Sequence, residues 1–388
     1  MNIQQKDQAY VANTYARFPV VIKRGEGSLV WDENDKQYID LSGGIAVNTF
    51  GIGDREWMDA VTAQLGAIQH ISNLYYTQPC ADLAELLCQR TGMKKVFFSN
   101  SGAEANECAI KVARKYAANV KGSDYYTIVT LKNSFHGRTL TTLAATGQDV
   151  FHQDFTPLTQ GFVHAEPNDF ADVERCVREN KCAAIMLEPV QGEGGVTALD
   201  RDFMKAVYEL CQKEDILLIC DEVQIGNGRS GMLYGYMNYG ISPDVVSTAK
   251  GLGGGLPIGA TMIGEKAELV LGAGSHGSTF GGNPVCCAGA LNILKRLDDE
   301  MLEGVRARSA YLFEELSKAE GVESVSGMGL MIGIKTTRPA SDVIADCMEK
   351  GLLVIKAKDK VRLLPALNIP MNVLESAVAI LKGAIAGK

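Results

Sequence analysis

Lys250 follows Ser247-Thr248-Ala249, and the run Gly251-Leu252-Gly253-Gly254-Gly255 comes next. A lysine between small residues and bare glycines has room to bond covalently to a carbonyl compound. Upstream, Asp221 and Glu222 close an apolar run, and Gln224 stands three residues after Asp221. An aspartate at the end of a neighbouring strand can hold a ring nitrogen protonated, and Gln224 can donate to a phenolic oxygen. This is the chemistry of pyridoxal phosphate (PLP), a cofactor held as a lysine Schiff base with an acid at its pyridinium nitrogen. Burial makes a carboxylate costly unless it is paired. It also lowers an amine's pKa and sharpens its nucleophilicity. Taken singly, Lys250 is equally a solvated loop lysine, and Asp221-Glu222 a plain strand-to-loop turn.

Three further segments could complete such a site. Ser99-Asn100-Ser101-Gly102-Ala103 reads as a strand, a small-residue turn and a helix start, where free N–H groups and the helix dipole attract an anion. The same residues also suit an ordinary capped helix. Phe135-His136-Gly137-Arg138 offers an aromatic ring to stack on a flat cofactor and an arginine to grip a carboxylate. In the polar loop His276 to Pro284, Thr279 could bind phosphate, or the loop could simply be a surface turn. A competing signal is Gly226-Asn227-Gly228-Arg229-Ser230-Gly231, which matches G-x-G-x-x-G after a strand and suggests a dinucleotide site. The segment after it has more glycines and three tyrosines and makes a poor crossover helix, which argues against an NAD-dependent dehydrogenase.

The elements that must position these residues are legible as alternating runs. Apolar strands are expected at 95–99, 126–131, 183–188, 216–220 and 244–248, with helices at 103–118 and 201–214 between them. Such alternation implies an α/β fold with a mainly parallel sheet, whose ligands sit beyond the carboxyl ends of the strands. Strands at 28–31 and 37–41 flank the turn at 32–35. A long helical stretch at 284–318, a glycine-punctuated strand pattern at 322–334 and a helix at 375–385 complete the chain. We expect a large PLP-binding domain at 46–283, with 1–45 joining 284–388 in a smaller α+β domain.

Composition narrows the class. The chain has 388 residues, 46% hydrophobic and 22% charged, which suits a globular protein with a sizeable core. No apolar stretch reaches membrane-spanning length, and the N-terminus lacks a signal-peptide pattern. A net charge of −8 argues against nucleic acid or an anionic membrane as the main partner. Ten cysteines, none spaced C-x-x-C, read as reduced thiols in a cytoplasm. The five histidines carry no zinc-binding spacing, so no metal is expected.

Five segments in order resemble the class III (subgroup II) aminotransferases, of the fold-type I PLP family. They are Ser99 to Asn106, Glu188-Pro189-Val190-Gln191-Gly192-Glu193-Gly194-Gly195, Asp221-Glu222-Val223-Gln224, Ala249 to Gly255 and Gly277-Ser278-Thr279-Phe280-Gly281-Gly282-Asn283-Pro284. By that resemblance Lys250 bonds the cofactor and serves as general acid–base, Asp221 faces the ring nitrogen, and Gln224 the phenolic oxygen. Phe135 stacks on the ring, and Ser101, Gly102 and Ala103 bind the phosphate. Thr279 reaches the cofactor of a second subunit, which implies a homodimer. Arg138 and Arg362 hold substrate carboxylates, Glu193 pairs with Arg362, and Tyr15 and Ser278 contact substrate. The resemblance implies transfer of the δ-amino group of N-acetylornithine to 2-oxoglutarate. Ornithine, 4-aminobutyrate, succinylornithine and acetyl-lysine are alternative donors. The chain departs from the family at Gly51-Ile52-Gly53-Asp54-Arg55, Ala103, Ile225 and Ala366.

Overall fold

The computed structural model describes residues 1–388. Seven strands form one sheet in the spatial order Lys95–Ser99, Gly259–Ile263, Val245–Thr248, Leu217–Asp221, Cys182–Leu187, Thr127–Leu131, Phe162–Ala165. Only Gly259–Ile263 runs against its neighbours. The five apolar runs expected as strands are strands, with ends shifted by a residue or so. Two others escape the sequence pattern. Phe162–Ala165 is a four-residue edge strand containing a histidine, and Gly259–Ile263 opens on a glycine.

The central strands are apolar throughout because both of their faces are covered. Along Leu217–Asp221, Leu217 and Ile219 join a core built with helix Gly102–Val120, whose Ala105, Ala109, Val112, Ala113 and Tyr116 recur at helical spacing. Leu218 and Cys220 point the other way, into a larger core shared with Val173 and Val177 of helix Phe170–Glu179 and with Phe203 and Val207 of helix Arg201–Lys213. Strand side chains alternate between faces, so one run of residues serves two cores.

The single helical stretch expected at 284–318 is two helices, Pro284–Arg296 and Asp299–Ser317. Asp298 separates them, its side chain accepting from the N–H of Met301 as an N-cap. The pattern at 322–334 is a hairpin, Val322–Met328 paired antiparallel with Met331–Thr336. Strands Ile22–Glu26, Leu29–Asp32 and Gln37–Asp40 form a sheet completed by Leu352–Leu353, so the two ends of the chain share hydrogen bonds. All ten cysteines are free, and no helix is long and apolar enough to cross a membrane.

Glu222, next to Asp221, has a structural task. It is fully buried, and its oxygens accept the N–H groups of Gly235 and Tyr236, each at 2.7 Å. Burial pushes its carboxyl up to about 7; the two N–H groups oppose this, and Asp221 adds to it. A carboxyl raised in the folded state binds its proton more tightly there than in the unfolded chain. Its stabilising contribution is therefore complete below the unfolded value near 4.5 and is lost as pH rises through about 7. Glu222→Gln should flatten the fall of the thermal midpoint between those limits. It should also cost about 1–3 kcal/mol at low pH, because its amide N–H faces a backbone donor, and that cost should shrink as pH rises through about 7.

Candidate active site

The carboxyl ends of the parallel strands gather the reactive side chains. Asp221 ends its strand 3% exposed. Its Oδ2 accepts from Asn106 Nδ2 at 2.7 Å and lies 2.8 Å from His136 Nδ1, and its Oδ1 accepts from the Val223 N–H at 3.0 Å. Asn106 also donates to the His136 carbonyl at 2.7 Å. One buried carboxylate is thus held by groups from a helix, a loop and its own turn. Strand Val245–Thr248 lies alongside, with Asp221 in register with Ser247, and Lys250 follows three residues later. Lys250 is half-buried. Its amine is lowered by burial; Glu193 counteracts this, Arg362 adds to it, and Asp221 and Glu188 oppose it. These four charges mark the surroundings of the amine.

Arg362, on strand Lys360–Leu363, is 2% exposed and fully engaged on one edge. Its Nη1 donates to Glu193 Oε1 at 2.7 Å and to Gln224 Oε1 at 3.0 Å, and its Nη2 to Glu193 Oε2 at 3.3 Å. Its buried Nε has no partner. Burial alone would raise the Glu193 carboxyl. The Arg362 charge and hydrogen bonds outweigh that, helped by Lys250 and Gln224, and the carboxyl lies below its ordinary value. Glu193 belongs to the loop between strands Val190–Gln191 and Thr197–Ala198. That loop passes so close to Gln224 that a Cβ on Gly192 would lie 2.4 Å from Gln224 Oε1.

Glu188 ties the two halves of the site together. Its Oε1 accepts the Phe135 N–H at 2.9 Å and its Oε2 the Gly192 N–H at 3.3 Å. Burial pushes its carboxyl up to about 7; His136 and the backbone donors pull it down, and Asp221 pushes it up. The Phe135 ring meets Phe151 edge-on at 5.7 Å. Arg138 is exposed, with its guanidinium 4.1 Å from the Phe151 ring centroid and 5.5 Å from that of Phe135.

Beyond the end of strand Lys95–Ser99, Ser101 caps helix Gly102–Val120 by accepting from the Glu104 N–H, as an ordinary N-cap does. The N–H groups of the first turn point out of the helix, as in any helix start. Gly102 has no space for a side chain, since a Cβ there would lie 2.5 Å from Val223 Cγ1. The helix start is thus packed onto the turn that carries Asp221. Ser278 Oγ lies 3.3 Å from Asn100 Nδ2, which brings the 277–283 loop to this corner.

Lys250, Asp221, Gln224, Glu193, Arg362 and Phe135 therefore converge, and Ser101, Gly102, Ala103 and Ser278 border them. Thr279 and Tyr15 are exposed and stand outside the hydrogen-bonded network. Asn106 and His136 belong to the network although residue type alone does not mark them as site residues, and Glu188, expected at a strand end beside Asp221 and Lys250, belongs to it as well. The available signal was polarity in apolar company: Asn106 interrupts an alanine-rich helix face, and Glu188 ends a buried strand. The segment 226–231 runs through turns, followed only by the short 3₁₀ segment Gly235–Tyr239, so the crossover helix a dinucleotide site requires is absent.

Comparisons with known proteins agree with this geometry. Residues 10–385 match the family model of the class-III aminotransferases. The chain is 48% identical over 381 residues to acetylornithine aminotransferase of Haemophilus ducreyi, covering 98% of this chain and 97% of that one. It is 42% identical over 392 residues to succinylornithine transaminase of Yersinia pseudotuberculosis, covering 97% and 94%. It superposes with a TM-score of 0.94, at 30% identity and covering 99% and 94%, on ornithine aminotransferase of Toxoplasma gondii, whose structure shows partial occupancy of PLP at the active site. A buried acid and a lysine at adjacent strand ends, with this match along almost the whole sequence, place the chain in the class-III aminotransferase family.

Proposed function

We propose that the chain uses PLP to transfer the δ-amino group of N2-acetyl-L-ornithine to 2-oxoglutarate. The products are N-acetylglutamate 5-semialdehyde and L-glutamate, a step of arginine biosynthesis. The observation that carries the reading is the convergence of Lys250, Asp221 and the Arg362–Glu193 pair in one cleft. The donor set fits PLP: a half-buried amine, a carboxylate aimed from a strand end, and a helix start without room for a side chain at Gly102. When bound, PLP withdraws electrons from the carbon that carries the amine, so that carbon loses a proton readily.

The residues divide the remaining work. Asp221, held by Asn106, His136 and the Val223 N–H, would face the ring nitrogen and favour a proton on it. Gln224 would face the phenolic oxygen, and Phe135 would stack on the ring. Ser101 and the N–H groups of Gly102 and Ala103 would hold the phosphate at the positive end of the helix. The Lys250 amine, its proton affinity lowered by burial, would bond the cofactor and serve as the general acid–base for the substrate proton.

Arg362 and Glu193 explain how one cleft accepts two amine types. With Glu193 on Arg362, the arginine is masked, and an ω-amine donor extends towards Arg138. Glutamate needs Arg362 for its α-carboxylate, so Glu193 must leave. Breaking this contact in favour of another carboxylate exchanges one charge-assisted pair for another, which keeps the cost of switching low. Glu193→Ala removes the mask. The ratio of kcat/KM for the ω-amine donor to that for glutamate should fall about 10- to 100-fold. Steady-state rates of both half-reactions measure it, and an unchanged ratio would refute the switch.

A homodimer fits the exposed aromatic segment. Leu74, Tyr75, Tyr76 and Phe280 are all at least 61% exposed, and Asn73 donates to the carbonyls of Ser278 and Gly281. These residues surround Thr279, which in a dimer contacts the other subunit's cofactor phosphate, and exposed apolar patches of this kind mark contact surfaces. The likeness to a succinylornithine transaminase supports that donor as the second reading. A panel of acetylornithine, succinylornithine, ornithine and 4-aminobutyrate, each assayed with 2-oxoglutarate, decides the matter. The highest kcat/KM should go to acetylornithine, and a higher value for any other donor would displace this reading.

A further inference from the structure

The glycine-rich turn 226–231 lacks the helix of a dinucleotide site, yet it reaches the reactive lysine. Lys250 has φ 46°, in the left-handed region that residues with a Cβ rarely enter. Such a backbone persists only where its surroundings over-determine it. Two side chains from outside this segment grip the backbone just before and just after Lys250. Asn227 Nδ2 donates to Thr248 Oγ1 at 2.9 Å and to the Ala249 carbonyl at 3.1 Å. Thr49 Oγ1 donates to the Gly251 carbonyl at 2.7 Å. Both residues are buried. A Cβ on Gly251 would lie 2.9 Å from Thr49 Oγ1 and 3.5 Å from Asn227 Cβ, so both pack against the residue that follows Lys250.

Each grip is anchored to the segment that follows Arg362. The Leu367 N–H donates to the Thr49 carbonyl at 2.8 Å. Arg229, two residues after Asn227, donates from Nη1 to the carbonyls of Leu330 at 3.0 Å and Pro365 at 2.8 Å. We propose that Asn227 and Thr49 are positioning residues that lock the backbone just before and just after Lys250 and so aim its amine at the reacting carbon. The inference rests on the reading of Lys250 as the residue that bonds PLP. Neither side chain need touch cofactor or substrate; both act through the Lys250 backbone.

The test uses PLP-loaded enzyme. Thr49→Val keeps the shape and removes the hydroxyl, and Thr49→Ser restores it. Asn227→Gly removes the amide while tolerating the φ of 56° at that position. In Thr49→Val and Asn227→Gly, kcat for the amine donor should fall about 10- to 100-fold, with KM close to the parent's. The pH midpoint of the bound cofactor's visible absorbance should move away from the parent value, and both quantities should recover in Thr49→Ser. Borohydride trapping followed by mass spectrometry separates the two levels of the argument. A parent enzyme without an adduct on Lys250 overturns the functional reading. An adduct on Lys250 in the parent, with parent-like kcat and absorbance in both variants, overturns the positioning role alone. A lower thermal midpoint with unchanged kcat per folded molecule also overturns it, since the grip would then serve stability only. If Asn227→Gly does not fold, the Thr49→Val and Thr49→Ser pair decides.

Discussion

Lys250→Ala lowers turnover by at least about 10⁴-fold and leaves the protein folded. The loss is large because one amine both bonds the cofactor and carries the proton between two carbons, and no second amine takes part in the site network. Folding survives for two reasons. Alanine meets the same left-handed backbone at φ 46°, so the strain is unchanged. The substitution also removes an amine whose charge burial disfavours. Turnover with the preferred donor and 2-oxoglutarate measures the first effect, and thermal unfolding the second. Borohydride should fix the cofactor to Lys250 in the parent and to no residue in the variant. Full activity in the variant would remove the mechanism altogether.

Asp221→Asn has the second-largest effect, a fall in kcat of about 10²- to 10³-fold. Three donors converge on the carboxylate, from Asn106, His136 and Val223. An asparagine can accept through only one atom, so its NH₂ group must face one of those donors. The side chain is also neutral, and the ring nitrogen loses the charge that keeps it protonated. Both changes weaken withdrawal of electrons from the reacting carbon, while substrate carboxylates still meet Arg362. The loss should therefore appear in kcat more than in KM. The visible spectrum of the bound cofactor should titrate at higher pH than in the parent, because weaker electron withdrawal leaves the Schiff-base nitrogen more basic. An equal loss from KM alone would point to a disturbed cleft instead of a missing charge.

Much of the large sheet is legible before any coordinates, because strands covered on both faces must be apolar throughout. Cys182–Leu187 and Val245–Thr248 are such strands. Gly259–Ile263 is equally buried, but its leading glycine and antiparallel direction hide it, since strand direction leaves no mark in composition. The break at Asp298 was missed for a related reason. An aspartate on a helix surface and one that caps a new helix look alike until the chain's path is known.

Residue type and order alone determined the chemistry of this protein. A lysine before bare glycines and an aspartate closing an apolar run suggest an amine and an acid at strand ends, and five such segments in one order narrow that reading to one family's chemistry. Tertiary structure alone decided what holds them. Asn106 and His136 stand 115 and 85 residues from the Asp221 they contact, and Glu193 stands 169 residues from Arg362. Thr49 stands 202 residues from the Gly251 carbonyl it grips. Hydrogen bonds and charge pairing depend on distances of a few ångströms, and separation along the chain carries no record of such distances until the sheet has brought the strand ends together.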